Sequence, residues 1–137
     1  MKNAVFVDTV AWLALVNKSE ELHESSCLVR DMLVQQKTRL VTSDFVIVEI
    51  ANSLSRIPLR GIALKLIDFI RSSETIDVVT ITPDLAEKAY QLFCSRNDKE
   101  WGLTDCTSFT VMEMKHLTRA FTADRHFEQA GYAILLK

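Results

Sequence analysis

Short apolar runs recur along this chain at intervals of roughly fifteen to forty residues. They are rich in Val, Ile and aromatic residues, which favour buried strands. Five such runs predict strands, at residues 4–7, 39–42, 75–81, 118–122 and 132–135.

The stretches between these runs carry apolar residues at helical spacing, so we expect helices there. The helices are predicted at residues 9–16, 21–36, 44–57, 61–72, 85–93, 105–115 and 124–129. Either Ser43 or Asp44 caps the third helix, which is expected to end near Pro58 because proline disfavours a helix just before it. Thr104 is the start signal of the sixth.

Strands that alternate with helices predict an α/β fold with a mostly parallel, helix-covered sheet. The 137 residues suffice for one hydrophobic core, so we expect a single domain over residues 1–137. In such sheets, ligands bind beyond the carboxyl ends of the strands. Candidate chemistry is therefore sought where the apolar runs end.

Composition adds few constraints. The hydrophobic fraction of 48% and the charged fraction of 25% are ordinary for a globular chain, and the net charge of -2 requires any nucleic-acid contact to come from a local patch. Three cysteines without a CxxC pair give no zinc or disulfide framework. Asp8 interrupts the N-terminal apolar run, which argues against a membrane helix or signal peptide. We expect a cytoplasmic protein.

Four acidic residues occupy positions from which their side chains could meet. Asp8 and Asp124 each follow a predicted strand, Asp105 lies in the first turn of a helix, and Glu49 lies on a helix rich in Val and Ile. We expect these four carboxylates to converge in one cleft around a divalent metal.

Each acid has a structural alternative. Glu49 also fits a solvated helix face, Asp105 is stabilised by the helix macrodipole by about 0.3–1 kcal/mol, and Asp124 fits a helix N-cap. Asp8 is the hardest to explain structurally, because no Lys or Arg neighbours it in the sequence.

The repulsion between the four acids indicates that a metal ion binds between them. Two carboxylates about 6 Å apart repel each other by roughly 3 kcal/mol at an effective dielectric near 20. A cation would remove this cost, and oxygen-only ligands suit Mg²⁺ or Mn²⁺ rather than zinc. Such ions support phosphodiester hydrolysis without a covalent nucleophile.

Other chemistries lack their motifs. The chain has no GxSxG, no GxGxxG and no P-loop, and Val10 stands where an aspartyl phosphatase usually carries its second acid. The histidines, His23, His116 and His126, have no metal-site spacing and are expected at the surface or at an interface.

Several residues are candidates for RNA contact. Trp12 is expected in the core, whereas Trp101 is a candidate for stacking on a base. Arg56, Lys99 and Arg125 are candidates for a phosphate-binding rim around the acids.

The acids and their neighbours resemble the signatures of PIN-domain ribonucleases, and most closely those of VapC-like toxins of toxin–antitoxin systems. The matching segments are Val7-Asp8-Thr9, Glu49 with Asn52, Leu103-Thr104-Asp105-Cys106 with Ser108, and residues 122–127. Gly102 departs from the pattern, since relatives often have a polar residue there, and we expect it to loosen that loop.

The resemblance implies a three-layer α/β/α fold and an endoribonuclease that depends on Mg²⁺ or Mn²⁺. It assigns catalysis and metal binding to the four acids Asp8, Glu49, Asp105 and Asp124. It makes Thr9, Asn52, Thr104 and Ser108 supporting residues.

The resemblance also implies partners, namely a second copy of the chain and a small antitoxin whose tail enters the active-site groove. Helical residues 45–57 and 62–70 carry more apolar side chains than one core-facing stripe needs, which agrees with an interface. Two alternatives to a toxin stay open. They are a housekeeping RNA-processing nuclease and a non-catalytic PIN module that binds RNA or protein.

Overall fold

The computed structural model describes residues 3–137, and within them one parallel sheet forms the centre of the fold. Its strands are β1 (Ala4–Val7), β2 (Arg39–Ser43), β3 (Ile76–Val79), β4 (Arg119–Phe121) and β5 (Ala133–Ile134). The strand order is β3-β2-β1-β4-β5, and all four neighbouring pairs are parallel. The predicted α/β class is therefore confirmed, with a sheet that is parallel throughout.

Helices flank this sheet on both sides and connect its strands. They are α1 (Thr9–Val16), α2 (His23–Gln35), α3 (Asp44–Ser53), α4 (Ile57–Ser72), α5 (Pro83–Ser95), α6 (Leu103–Lys115) and α7 (Arg125–Gln129). None of the helices in residues 3–137 combines the length and the low polarity that a bilayer span requires.

The centre of the sheet is the most deeply buried part of the core. All four residues of β1 are buried, because strands lie on both sides of β1 and helices cover its faces. Trp12 is 3% exposed, which confirms its predicted place in the core.

The carboxyl ends of β1 and β4 are level with each other. Val7 pairs with Phe121, and the Asp8 amide donates to the Phe121 carbonyl at 3.2 Å. The chain continues from β1 towards β2 on one side and reaches β4 on the other, so the strand order reverses at this point. Such a reversal opens a crevice beyond the strand ends.

The clearest errors in the predicted helix boundaries are at the end of α3 and at the starts of α4 and α6. The third helix ends at Ser53, and α4 already begins at Ile57, because Pro58 lies in the first turn of α4 instead of ending α3. Proline fits a first turn, where its missing N–H would have had no helical partner.

The sixth helix begins at Leu103, two residues before its predicted start, and Gly102 rather than Thr104 is its N-cap. Asp105 is the third residue of this helix and accepts a hydrogen bond from the Gly102 amide at 3.0 Å. Gly102 has an ordinary φ of -77°, and this hydrogen bond holds the loop that it was expected to loosen.

Candidate active site

Asp8 lies directly after β1 and is almost completely buried. Its Oδ2 accepts a hydrogen bond from the Thr122 hydroxyl at 3.0 Å. Burial is the main cause that raises the pKa of Asp8 to about 7, and the negative charges of Glu49 and Asp124 contribute to the rise. The hydrogen bonds from Thr122 and from the Thr9 backbone oppose it. Asp8 is thus a buried carboxyl group whose pKa no basic side chain of residues 3–137 lowers.

Thr122 connects the two strand ends. Its hydroxyl donates to Asp8 and accepts from the Asp124 amide at 3.1 Å. Thr122 is completely buried, and its hydroxyl makes these two hydrogen bonds with residues of the described chain. It therefore fixes the carboxylate after β1 relative to the backbone after β4.

Glu49 reaches the cleft from α3, whose N-terminus is capped by the Ser43 side chain. The Thr9 hydroxyl, in the first turn of α1, donates to Oε1 of Glu49. Glu49 is thereby tied to the residue that follows Asp8, although 40 positions separate the two in sequence.

Asp105 and Asp124 meet at the starts of two helices. Oδ2 of Asp105 accepts from the Gly102 amide and from Nδ1 of His126, both at 3.0 Å. Oδ1 of Asp124 caps α7 by accepting from the His126 amide at 2.9 Å. Both acids therefore act as helix-start residues and also face the cleft.

The four acids line one open cleft of about 430 Å³. Its lining residues are Asp8, Thr9, Val10, Glu49, Asn52, Ser53, Asp105 and Asp124. None of these lining residues is Lys or Arg, so nothing among them neutralises the four acids. The donor set is rich in carboxylate oxygen, has no basic residue among its members, and could hold a divalent metal ion.

The supporting residues divide into two groups. Thr9 and Asn52 line the cleft, and Thr9 binds Glu49 directly. Ser108 is 1% exposed and is not a lining residue, and Thr104 is half-buried in the first turn of α6, also outside the lining.

The structure does not favour the predicted stacking of Trp101 on a base, because the residue is buried. Its side chain is 6% exposed, and its Nε1 donates to Oε1 of Gln129 at 2.9 Å. Phe109 packs edge-to-face against the ring at 5.0 Å, and the Arg96 guanidinium lies 4.9 Å from its centre. Trp101 anchors the loop before α6.

The three basic candidates lie outside the lining of the cleft. Arg125 follows Asp124, is 72% exposed and pairs with Glu128 at 2.7 Å. Arg56 is exposed just before α4, and Lys99 is half-buried in the loop before α6.

His126 lies beside the acids of the cleft, with a side chain that is 32% exposed. Its ring contacts Asp105, and ligand atoms of Asp105, Asp124 and His126 lie within 4.8 Å of one another. The sequence contained a signal for the position of His126. Asp124 was a candidate N-cap, and an N-cap acid accepts a hydrogen bond from the amide two positions later, which is that of His126. Thr122, two positions before Asp124, belongs to the matching segment 122–127, but the sequence assigned it no role.

A separate apolar groove of about 840 Å³ lies between α1, α2 and α4. Trp12, Leu33, Leu66 and Phe69 are among its apolar lining residues. Arg30, Lys37, Arg39 and Lys65 also line it. The groove is thus an apolar surface with basic residues around it.

Comparison with known proteins identifies relatives of this chain. Residues 5–132 match the family model of the PIN domain. The chain is 30% identical over 128 residues to a protein of Mycobacterium tuberculosis described as "23S rRNA-specific endonuclease VapC20". The aligned residues cover 93% of this chain and 95% of the relative.

Solved structures with the same fold include the crystal structure of that Mycobacterium tuberculosis VapC20, a sarcin-ricin loop cleaving toxin. It has a TM-score of 0.83 and 30% identity, and the match covers 94% of this chain and 96% of the other. VapBC2 from Rickettsia felis, bound to a DNA fragment from its promoter, has a TM-score of 0.72 at 12% identity over 96% of each chain, a likeness of fold.

Proposed function

The chain belongs to the PIN domain family, and we propose that it is a metal-dependent endoribonuclease whose active site is the cleft of Asp8, Glu49, Asp105 and Asp124. The observation that carries the proposal is the convergence of four carboxylates from four separate segments, with no Lys or Arg among the residues that line the cleft. This arrangement costs stability in the absence of a cation, so a structural role alone does not account for it.

The four acids would hold Mg²⁺ or Mn²⁺, and each is already oriented by the protein. Thr122 holds Asp8, Thr9 holds Glu49, His126 and Gly102 hold Asp105, and the amide of His126 holds Asp124. When bound, the divalent ion supplies positive charge for the scissile phosphate and lowers the pKa of a water.

We propose that the enzyme is the toxin of a toxin–antitoxin pair. Its 30% identical relative is a 23S rRNA-specific endonuclease, so we expect RNA, and ribosomal RNA in the first place, as the substrate. The complete set of acids favours an enzyme over a non-catalytic PIN module.

We propose two protein partners, a second copy of the chain and a small antitoxin. The apolar groove between α1, α2 and α4 suits an apolar segment of the antitoxin flanked by acidic residues, because Arg30, Lys37 and Lys65 line it. A VapBC complex is among the solved structures of the same fold.

Three free cysteines agree with a cytoplasmic location, and one continuous core supports a single domain over residues 1–137.

The proposal is tested by incubating the purified protein with ribosomal RNA in Mg²⁺, in Mn²⁺ and in excess EDTA. Cleavage is expected with either metal, is lost in EDTA and returns when Mg²⁺ is restored. Asp105→Asn should reduce cleavage by about 100-fold or more, because a metal ligand is removed. Asp68→Asn is the matched control, since Asp68 is an exposed acid on α4 outside the cleft. Undiminished cleavage in EDTA would refute the metal dependence.

A further inference from the structure

His126 contacts two of the acids at the same time. Its Nδ1 lies 3.0 Å from Oδ2 of Asp105 and 3.5 Å from Oδ1 of Asp124. Its backbone amide also donates to Oδ1 of Asp124 at 2.9 Å. His126 therefore connects the start of α6 to the start of α7. Asp105 and His126 are 21 positions apart in the sequence.

The direction of the side-chain hydrogen bond follows from the chemistry of the partners. An ionised carboxylate oxygen only accepts, so Nδ1 carries the proton and donates to Asp105. A ring nitrogen that carries a proton has no lone pair for a metal. Nδ1 of His126 is therefore a hydrogen-bond donor to Asp105 and not a metal ligand.

This contact leaves one oxygen of each acid available. Oδ2 of Asp105 receives both the His126 ring and the Gly102 amide, and Oδ1 of Asp124 receives the His126 amide. The remaining oxygens, Oδ1 of Asp105 and Oδ2 of Asp124, accept no hydrogen bond from residues 3–137. Each acid is thus held at one oxygen and offers the other.

This inference rests on the proposed function. We propose that His126 is a positioning residue, which holds Asp105 and Asp124 in the orientation in which their remaining oxygens would bind one metal ion. Outer-sphere donors of this kind commonly change metal affinity or activity by about 10–100-fold. Removal of the donor should therefore weaken metal binding without removing any metal ligand.

Three variants separate this role from others. His126→Asn is expected to keep the donor, because the Asn amide nitrogen takes the place of Nδ1. His126→Ala removes the donor, and His126→Gln fills the space of the ring but carries its amide further out, where Nε2 lies. His116→Ala is the control, since His116 is exposed at the opposite end of α6.

The readout besides activity is Mn²⁺ affinity, measured by electron paramagnetic resonance on variants whose melting in EDTA shows a folded protein. His126→Ala and His126→Gln should each weaken Mn²⁺ binding about 10–100-fold, and cleavage should fall with it. His126→Asn should restore most of the affinity, and His116→Ala should match the unsubstituted chain.

Two results would overturn the inference. The first is unchanged Mn²⁺ affinity in His126→Ala. The second is an Asn variant no better than Ala, together with a loss of Co²⁺ binding much larger than the loss of Mn²⁺ binding, which identifies the imidazole as a direct ligand. Failure of the unsubstituted chain to bind Mn²⁺ would instead refute the proposed function itself, so the two failures are distinguishable.

Discussion

At the scale of single residues, Asp8 bears the main electrostatic cost of the cleft. It is 7% exposed and lies near Glu49 and Asp124, and its hydrogen bond from Thr122 offsets the burial only in part. The pKa of about 7 means that the metal-free native state takes up a proton here near neutral pH. The unfolded chain does so only near its ordinary value of 3.8.

This difference predicts a pH dependence of the metal-free protein. Since the folded pKa is raised, the contribution of Asp8 to stability is full below about pH 4 and is lost as pH rises to about 7. The loss amounts to roughly 4 kcal/mol for a shift of this size. Asp8→Asn should remove that slope and be more stable than the unsubstituted chain at about pH 8 in EDTA.

Urea unfolding in EDTA at several pH values between about 4 and 8 measures this slope for both proteins, and their difference isolates Asp8 from the other carboxyl groups. An Asp8→Asn protein with the slope of the unsubstituted chain would contradict the assignment. Addition of Mg²⁺ should restore stability to the unsubstituted chain at the high end of the range.

The sequence revealed the four acids because each lies where an element starts or ends, or on a polar strip of an apolar helix. It did not reveal the contact of His126 with Asp105 or the burial of Trp101. The direction in which His126 points depends on the cap that Asp124 forms, and the burial of Trp101 depends on Phe109 and Gln129, which are distant in sequence. Spacing along one element carries no information on such contacts.

At the scale of elements, apolar periodicity predicted all five strands and seven helices of residues 3–137, and the errors lie at their ends. Pro58 was interpreted as a stop for α3, but the same residue type also suits the first turn of a helix. Gly102 is the N-cap residue of α6 and has no side chain to signal this position; its amide donates to Asp105. Local propensity therefore predicts elements better than it predicts their boundaries.

Thr122 offers a test at this scale, since it ties the end of β1 to the start of α7. Thr122→Val keeps the shape of the side chain but leaves the Asp124 amide without its partner, which should cost about 1–3 kcal/mol. It also frees the Asp8 carboxyl group, so cleavage should fall about 10–100-fold.

Thr110→Val is the control for this change. Thr110 is also buried, but its hydroxyl donates only to the Cys106 carbonyl within α6. Chemical denaturation and cleavage assays on both variants should show a loss of activity in Thr122→Val alone. Equal activity of the two variants would remove Thr122 from the site.

At the scale of the whole molecule, the family and the fold suggested by the resemblance are confirmed. The strand order places Asp8 and Asp124 at the reversal of the sheet, and the apolar groove lies between α1, α2 and α4. The α4 surface was expected to be an interface from its excess of apolar residues. Phe69, which lines the groove, is 59% exposed.

The groove predicts where an antitoxin binds. Phe69→Asp should abolish co-purification with a co-expressed antitoxin, the proposed partner, because a charge would be buried against an apolar segment. Phe93→Asp is the control, since Phe93 is 43% exposed on α5 and lies outside the groove. RNA cleavage by both variants alone should be unchanged. Retained binding by Phe69→Asp would show that the antitoxin uses another surface.

The central claim is that the four acids form a metal site for RNA hydrolysis, and RNA cleavage by Asp8→Asn in Mg²⁺ tests it most directly. The variant is expected to lose cleavage by about 100-fold or more while its melting temperature in EDTA equals or exceeds that of the unsubstituted chain. The rise in melting temperature on adding Mg²⁺ should shrink in the same samples. An Asp8→Asn protein that cleaves RNA at the unsubstituted rate, with an unchanged response to Mg²⁺, would contradict the claim.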